Sequence, residues 1–104
     1  MKNYVLSMVV GGLALAVAAP AATAGPVARA CMASDRQAAT RTMCGCIQSV
    51  ADATLTGRDQ RLAAKFFSNP HHAQEVRQSE RAADEAFWDR YRVFGDAAER
   101  SCAG

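Results

Sequence analysis

Beyond residue 24 the chain has no unbroken apolar run of the ~20 residues that a membrane-crossing helix needs. It has no segment in which apolar and polar residues alternate with period two, so it offers no half-buried strand. It also lacks a glycine-rich phosphate loop, a serine–histidine–aspartate set and a paired-carboxylate constellation. Those gaps leave an enzyme reading without residues, and we expect no catalysis. Lysine is nearly missing too: Lys65 stands against ten arginines in this part, a bias that reads as genomic base composition. Acidic and basic residues alternate after residue 57, so no basic block marks a nucleic-acid footprint.

What the chain does have begins at its N-terminus. Lys2 precedes an uncharged apolar run from Tyr4 to Ala19, Pro20 breaks the run, and Ala22-Thr23-Ala24 supplies small residues for a cleavage site. This is the layout of a secretory signal peptide, residues 1–24, cleaved after Ala24. An uncleaved anchor fits less well because the run is short. A lipid anchor on Cys31 is disfavoured by Arg29 two residues before it. Cleavage leaves residues 25–104 as a single exported, periplasmic domain with no membrane span. So short a chain builds a core of marginal stability. An even set of four cysteines (Cys31, Cys44, Cys46 and Cys102) in such a chain reads as a disulfide framework.

The expected fold is all-α: a small disulfide-stapled bundle of three to four helices. Gly25 to Ala33 shows no period and reads as an irregular lead-in. Ser34 and Gln37 suggest a capping box. Behind them Met43, Ile47, Val50 and Thr54 recur at helical spacing, with Gly45 as a weak point worth ~1 kcal/mol against alanine. Thr56-Gly57 ends that helix, and Thr56 caps the next one with Asp59 in its first turn. Leu62, Ala63 and Phe66 form its inner face. Asn69-Pro70 opens a further helix. A break is expected at Gln78-Ser79, with Ser79 capping and Glu80 in the first turn. The last stripe runs through Ala83, Phe87, Tyr91, Phe94, Ala98 and Cys102, at spacings of four or three.

The cysteines of "TRTMCGCIQSV", residues 40–50, lie two apart, which on a helix points them about 200° from each other. A Cys44–Cys46 bond would distort the backbone around Gly45, and a redox pair would use two intervening residues. Cys46 shares a face with Met43 and Val50, and Cys102 continues the last apolar stripe, so these two should meet. Cys44 looks the other way, toward the lead-in that carries Cys31. The expected pairs are therefore Cys31–Cys44 and Cys46–Cys102. Chain-entropy arguments assign them about 3 and 4 kcal/mol respectively. The competing reading is a copper-handling protein: Cys31, Met32, Met43, Cys44 and Cys46, with His71 and His72, are ligand types that suit Cu(I). Spacing typical of zinc or haem sites is missing, and adjacent histidines diverge by about 100° on a helix. We therefore expect no metal and no cofactor.

Phe67 and Trp88 lie beside their stripes rather than in them. Trp88 is expected to stack on Arg92 one turn later; the alternative is that Phe67, Trp88 and Arg92 anchor a protein partner. The pairs Arg81–Glu85, Asp89–Arg92 and Asp96–Arg100 stand at helical neighbour spacing and should lend a few tenths of a kcal/mol each.

Two stretches, "CGCIQSVADATL" (44–55) and "DQRLAAKFFSNPHHAQEVRQSERAADEAFWDRYRVFG" (59–95), resemble a family of short exported bacterial proteins carried under the label "arginine transporter". A transporter must span the membrane, and a periplasmic amino-acid receptor usually closes two domains on its ligand. The resemblance therefore implies an accessory role in arginine transport, set beside the primary expectation of a binding or structural role in the periplasm. Partial-reduction peptide mapping of the secreted chain should recover Cys31 linked to Cys44 and Cys46 linked to Cys102. A peptide joining Cys31 to Cys102 would refute the facing argument.

Overall fold

The computed structural model describes residues 11–12 and 25–103, so the signal-peptide reading lies outside the described residues apart from Gly11 and Gly12. Helix starts where the sequence suggested no order. Pro26 supplies a preset φ at the first helical position and opens α1 (Pro26–Ala33). Val27, Ala28 and Cys31 of this helix are buried. The irregular lead-in is thus a helix of eight residues, too short to display a period, and the described residues form five helices rather than three or four.

Ser34 ends α1 instead of opening the next helix. Its N–H and its hydroxyl both donate to the Cys31 carbonyl, at 3.1 and 2.6 Å. The N-cap of α2 (Arg41–Thr54) is Thr40, whose hydroxyl accepts from the Met43 N–H at 3.1 Å. The Ser34–Gln37 box is therefore no cap: Gln37 sits in a turn between the two helices.

α2 is enclosed on two sides, by α1 and by α5 (Ala82–Cys102). Its most buried residues are Cys44, Gln48 and Ala51, followed by Leu55 at its C-cap. The expected stripe of Met43, Ile47, Val50 and Thr54 lies one position away and is only partly buried. This reverses the expected burial of the two cysteines. Cys44 is 1% exposed because α1 covers it, while Cys46 is only partly buried.

Thr56 caps α3 (Gly57–Ser68) as expected, accepting from the Asp59 N–H at 3.2 Å. Asn69 precedes Pro70 at the start of α4 (Pro70–Gln78), but its side chain makes no capping hydrogen bond. The break after Gln78 falls at Ser79, yet α5 starts two residues late. The Ser79 hydroxyl accepts from the Arg81 N–H at 3.2 Å, Arg81 is the N-cap, and Glu80 stays outside the helix. Along α5, Phe87 and Phe94 are buried, Tyr91, Ala98 and Cys102 are half-buried, and Ala83 is exposed. Phe66 of α3 meets Phe87 and Tyr91 edge-on, at centroid distances of 6.0 and 5.3 Å. Such T-shaped contacts add about 0.5–1.5 kcal/mol each to the apolar burial. Val27, Ala51, Leu55, Ala63 and Val76 complete the core.

At the junction of α1, α2 and α3 a polar side chain occupies a core position. Gln48, 1% exposed, accepts from the Ala28 N–H at 2.8 Å. Ala28 is the third residue of α1, a position whose N–H has no partner within its own helix, and the N-cap Gly25 has no side chain to offer. Gln48 thus caps α1 from another helix. Its amide donates to Asp52 Oδ1 at 2.9 Å and to Gln60 Oε1 at 2.8 Å. Gln60 in turn donates to Asp52 and to the Leu55 carbonyl, at 3.2 and 3.4 Å. Gly25 is required beside it, because a Cβ there would collide with the Gln48 carboxamide.

Gln48→Leu keeps the volume and removes the bonds. It would orphan the Ala28 N–H and the Gln60 carbonyl, each at a cost of about 1–3 kcal/mol. Urea unfolding of the oxidised protein should show a midpoint shift of that summed size. An unchanged midpoint would show that the network contributes nothing net.

Candidate functional site

The sulfur pairs are Cys31–Cys44, with a Cα separation of 5.6 Å, and Cys46–Cys102, with one of 5.8 Å. The first ties α1 to α2 and the second ties α2 to the last turn of α5. Among the described residues no cysteine is free. The copper reading therefore loses its thiolates. Its other members are dispersed: Met32 is 47% exposed on α1, and Met43 is part-buried on α2. On α4, His71 Nε2 and His72 Nδ1 approach opposite oxygens of Glu75, at 3.5 and 3.9 Å. The two histidines reach one carboxylate from its two oxygens, at the i+4 and i+3 positions of the helix. Among the described residues no three His, Cys, Asp or Glu side chains are placed to hold a metal ion.

Two of the three partner-anchor candidates, Phe67 and Trp88, are brought together through Tyr91, and Arg92 is not. Phe67, near the end of α3, is part-buried against the core. The guanidinium of Arg36, from the α1–α2 connection, lies 5.6 Å from its ring centroid. Phe66, Phe67, Pro70, Ala73 and Tyr91 line a cleft of about 230 Å³ with Arg36 at its edge. Trp88 does not stack on Arg92. Its ring tilts against Tyr91 at 5.1 Å, and the cation–π contact belongs to Arg36 and Phe67. Tyr91 therefore connects the Phe67 cleft with Trp88, while Arg92 is exposed one turn beyond Trp88 and lines no part of the cleft. Burial raises the Tyr91 phenol above its ordinary pKa, with the Arg36 charge acting in the opposite direction. Arg36 carried no signal in the sequence, because its partner ring lies on a different helix and the connection has no period.

The charge pairs read from spacing along α5 do not close. None of Arg81–Glu85, Asp89–Arg92 and Asp96–Arg100 comes within 4.0 Å, and all six residues are exposed. The ion pair that α5 does make reaches another helix. Arg90 Nε and Nη2 donate to Asp59 Oδ2 and Oδ1, at 2.7 and 3.1 Å. This fork-on-fork geometry is the strong form of the pair. It joins the first turn of α3 to the middle of α5 across 31 positions of sequence. The Asp59 side chain is 7% exposed and that of Arg90 47%. Arg90's hydrogen bonds, helped by its charge and by bonds from Thr56, hold the Asp59 carboxyl below its ordinary pKa against the opposing effect of burial.

No protein-family model matches the chain, no curated protein matches its sequence, and no solved structure matches its fold.

A carboxyl group with a depressed folded-state pKa stabilises the fold above its unfolded value of 3.8, and that contribution is lost as pH falls through the folded value. Thermal melts between pH 6 and 2 should therefore show a drop in Tm below about pH 4. In Arg90→Gln that drop should move to higher pH, because burial then acts on Asp59 without its partner. Coincident profiles for the two proteins would show that the pair has no linkage to stability.

Proposed function

We propose that the protein is an exported, non-catalytic binding module that docks a protein partner in the periplasm. Export is supported by the two disulfides in so small a chain, since such bonds persist in oxidising compartments. The observation that carries the docking reading is the placement of Tyr91 between Trp88 and the Phe67 cleft. It joins three half-buried aromatic side chains into one surface, with Arg36 at its edge. Aromatic and arginine side chains supply most interface hot spots because they bury large areas at modest entropic cost. A partner segment suited to this surface carries an apolar anchor for the cleft and a carboxylate for Arg36.

The accessory role in arginine transport is the second reading, and it rests on the family resemblance alone. The same preparation tests both. Wild-type protein, oxidised and cross-linked in periplasmic extract, should capture a defined partner. Phe67→Ala and Trp88→Ala should lose at least about tenfold of that capture, the size of one hot-spot residue, while retaining both disulfides and their helical circular dichroism. Equal capture by wild type and both variants would move the partner to another surface. Saturable micromolar arginine binding by calorimetry would favour the transport reading.

A further inference from the structure

A second concavity lies between α3 and the first half of α5, and it shares no residue with the aromatic surface. It encloses about 610 Å³, within the range of small-ligand pockets. Arg58, Arg61 and Lys65 line it from α3, at spacings of three and four that place them on one face. Arg81 joins them from the start of α5. Two carboxylates are present, Asp59 and Asp84, and Asp59 is taken up by Arg90. That leaves four cations facing Asp84, none of them with a carboxylate within 4.0 Å among the described residues. The formal excess in the groove is therefore +3, larger than the +2 of the whole chain. The apolar part of the lining is part-buried Leu62 and buried Phe87, with exposed Ala83 and Ala86 beside them.

Gathering like charges raises their mutual repulsion, which a bound anion relieves. Guanidinium groups present planar donor forks that match the oxygens of phosphate or carboxylate two at a time. An excess of +3 suits a dianion better than a single carboxylate, and Leu62 and Phe87 add favourable contact only for an anion with an apolar body. We propose that the groove is a binding site for an organic phosphate: a phosphomonoester head held by Arg58, Arg61, Lys65 and Arg81, with its apolar portion on Leu62 and Phe87. The same excess of positive charge disfavours free arginine as the occupant. Arg90 neutralises the Asp59 carboxylate, which would otherwise repel the head.

Calorimetric titration of the oxidised protein at low salt tests this with phenyl phosphate, inorganic phosphate and phenol. Phenyl phosphate should bind saturably, one per chain, and about tenfold more tightly than inorganic phosphate; phenol should not bind. The double variant Arg58→Gln/Arg61→Gln should weaken phenyl phosphate at least about tenfold. Arg77→Gln/Arg92→Gln removes the same charge from exposed positions outside the groove and should change affinity less than about twofold. Each variant is checked for both disulfides and wild-type circular dichroism. Equal weakening by the two double variants, or no saturable phosphate binding by wild type, would overturn the proposal. Vesicles containing phosphatidic acid identify the source of the head. Cosedimentation that phenyl phosphate competes away assigns it to a lipid, and soluble binding without cosedimentation assigns it to a free ester; both support the site.

Discussion

The carboxamide of Gln48 is the point at which three helices become dependent on one another. A buried amide is costly unless every donor and acceptor is matched. Here the matching groups come from α1, from α2 itself and from α3. α1 has no N-terminal cap of its own, so its first turn is satisfied only when α2 lies beneath it. The apolar contacts around Val27 and Ala51 could tolerate small slides, but the hydrogen bonds cannot. Gly25 is part of the same constraint, since any side chain there would occupy the space of the Gln48 amide.

Around that junction the two disulfides act on different sides of α2. Cys44, on the Gln48 side, is joined to α1, and Cys46 is joined to the C-terminal turn of α5. A separation of two residues puts the sulfurs on opposite faces, so the spacing that looks like a reactive motif is two attachments to two neighbours. The Arg90–Asp59 pair then aligns α5 with α3. That alignment brings the cations of α3 beside Arg81 and turns an alternating charge sequence into a groove of one dominant sign.

The sequence made legible what repeats over several turns. The α5 stripe, the Asn69-Pro70 boundary, the Thr56 cap and the cysteine pairing all follow from local period or from direction on a helix. Gln48 hid the true inner face of α2: a polar residue at a core position breaks an apolar count. The apparent stripe therefore settled on Met43, Ile47, Val50 and Thr54, one residue from the buried set. α1 was missed because two turns cannot show a period and because its cap lies 20 residues away. Arg36 on Phe67 and Arg90 on Asp59 had no local signal at all, since each joins elements distant in sequence. The groove was illegible for the same reason, as alternation along the chain says nothing about which charges share a face after folding.

The Cys46–Cys102 bond, spanning 56 positions, has a mechanical consequence. Tension applied between residues 25 and 103 passes through α1, crosses to α2 at the Cys31–Cys44 bond, and leaves through Cys46–Cys102. The chain from residue 47 to residue 101, with α3, α4 and nearly all of α5, lies off that path as a covalently closed loop. A pull between those two residues would strain α1 as far as Cys31 and α2 only from Cys44 to Cys46, leaving the aromatic core slack, and a single backbone cut within the loop would leave one connected molecule.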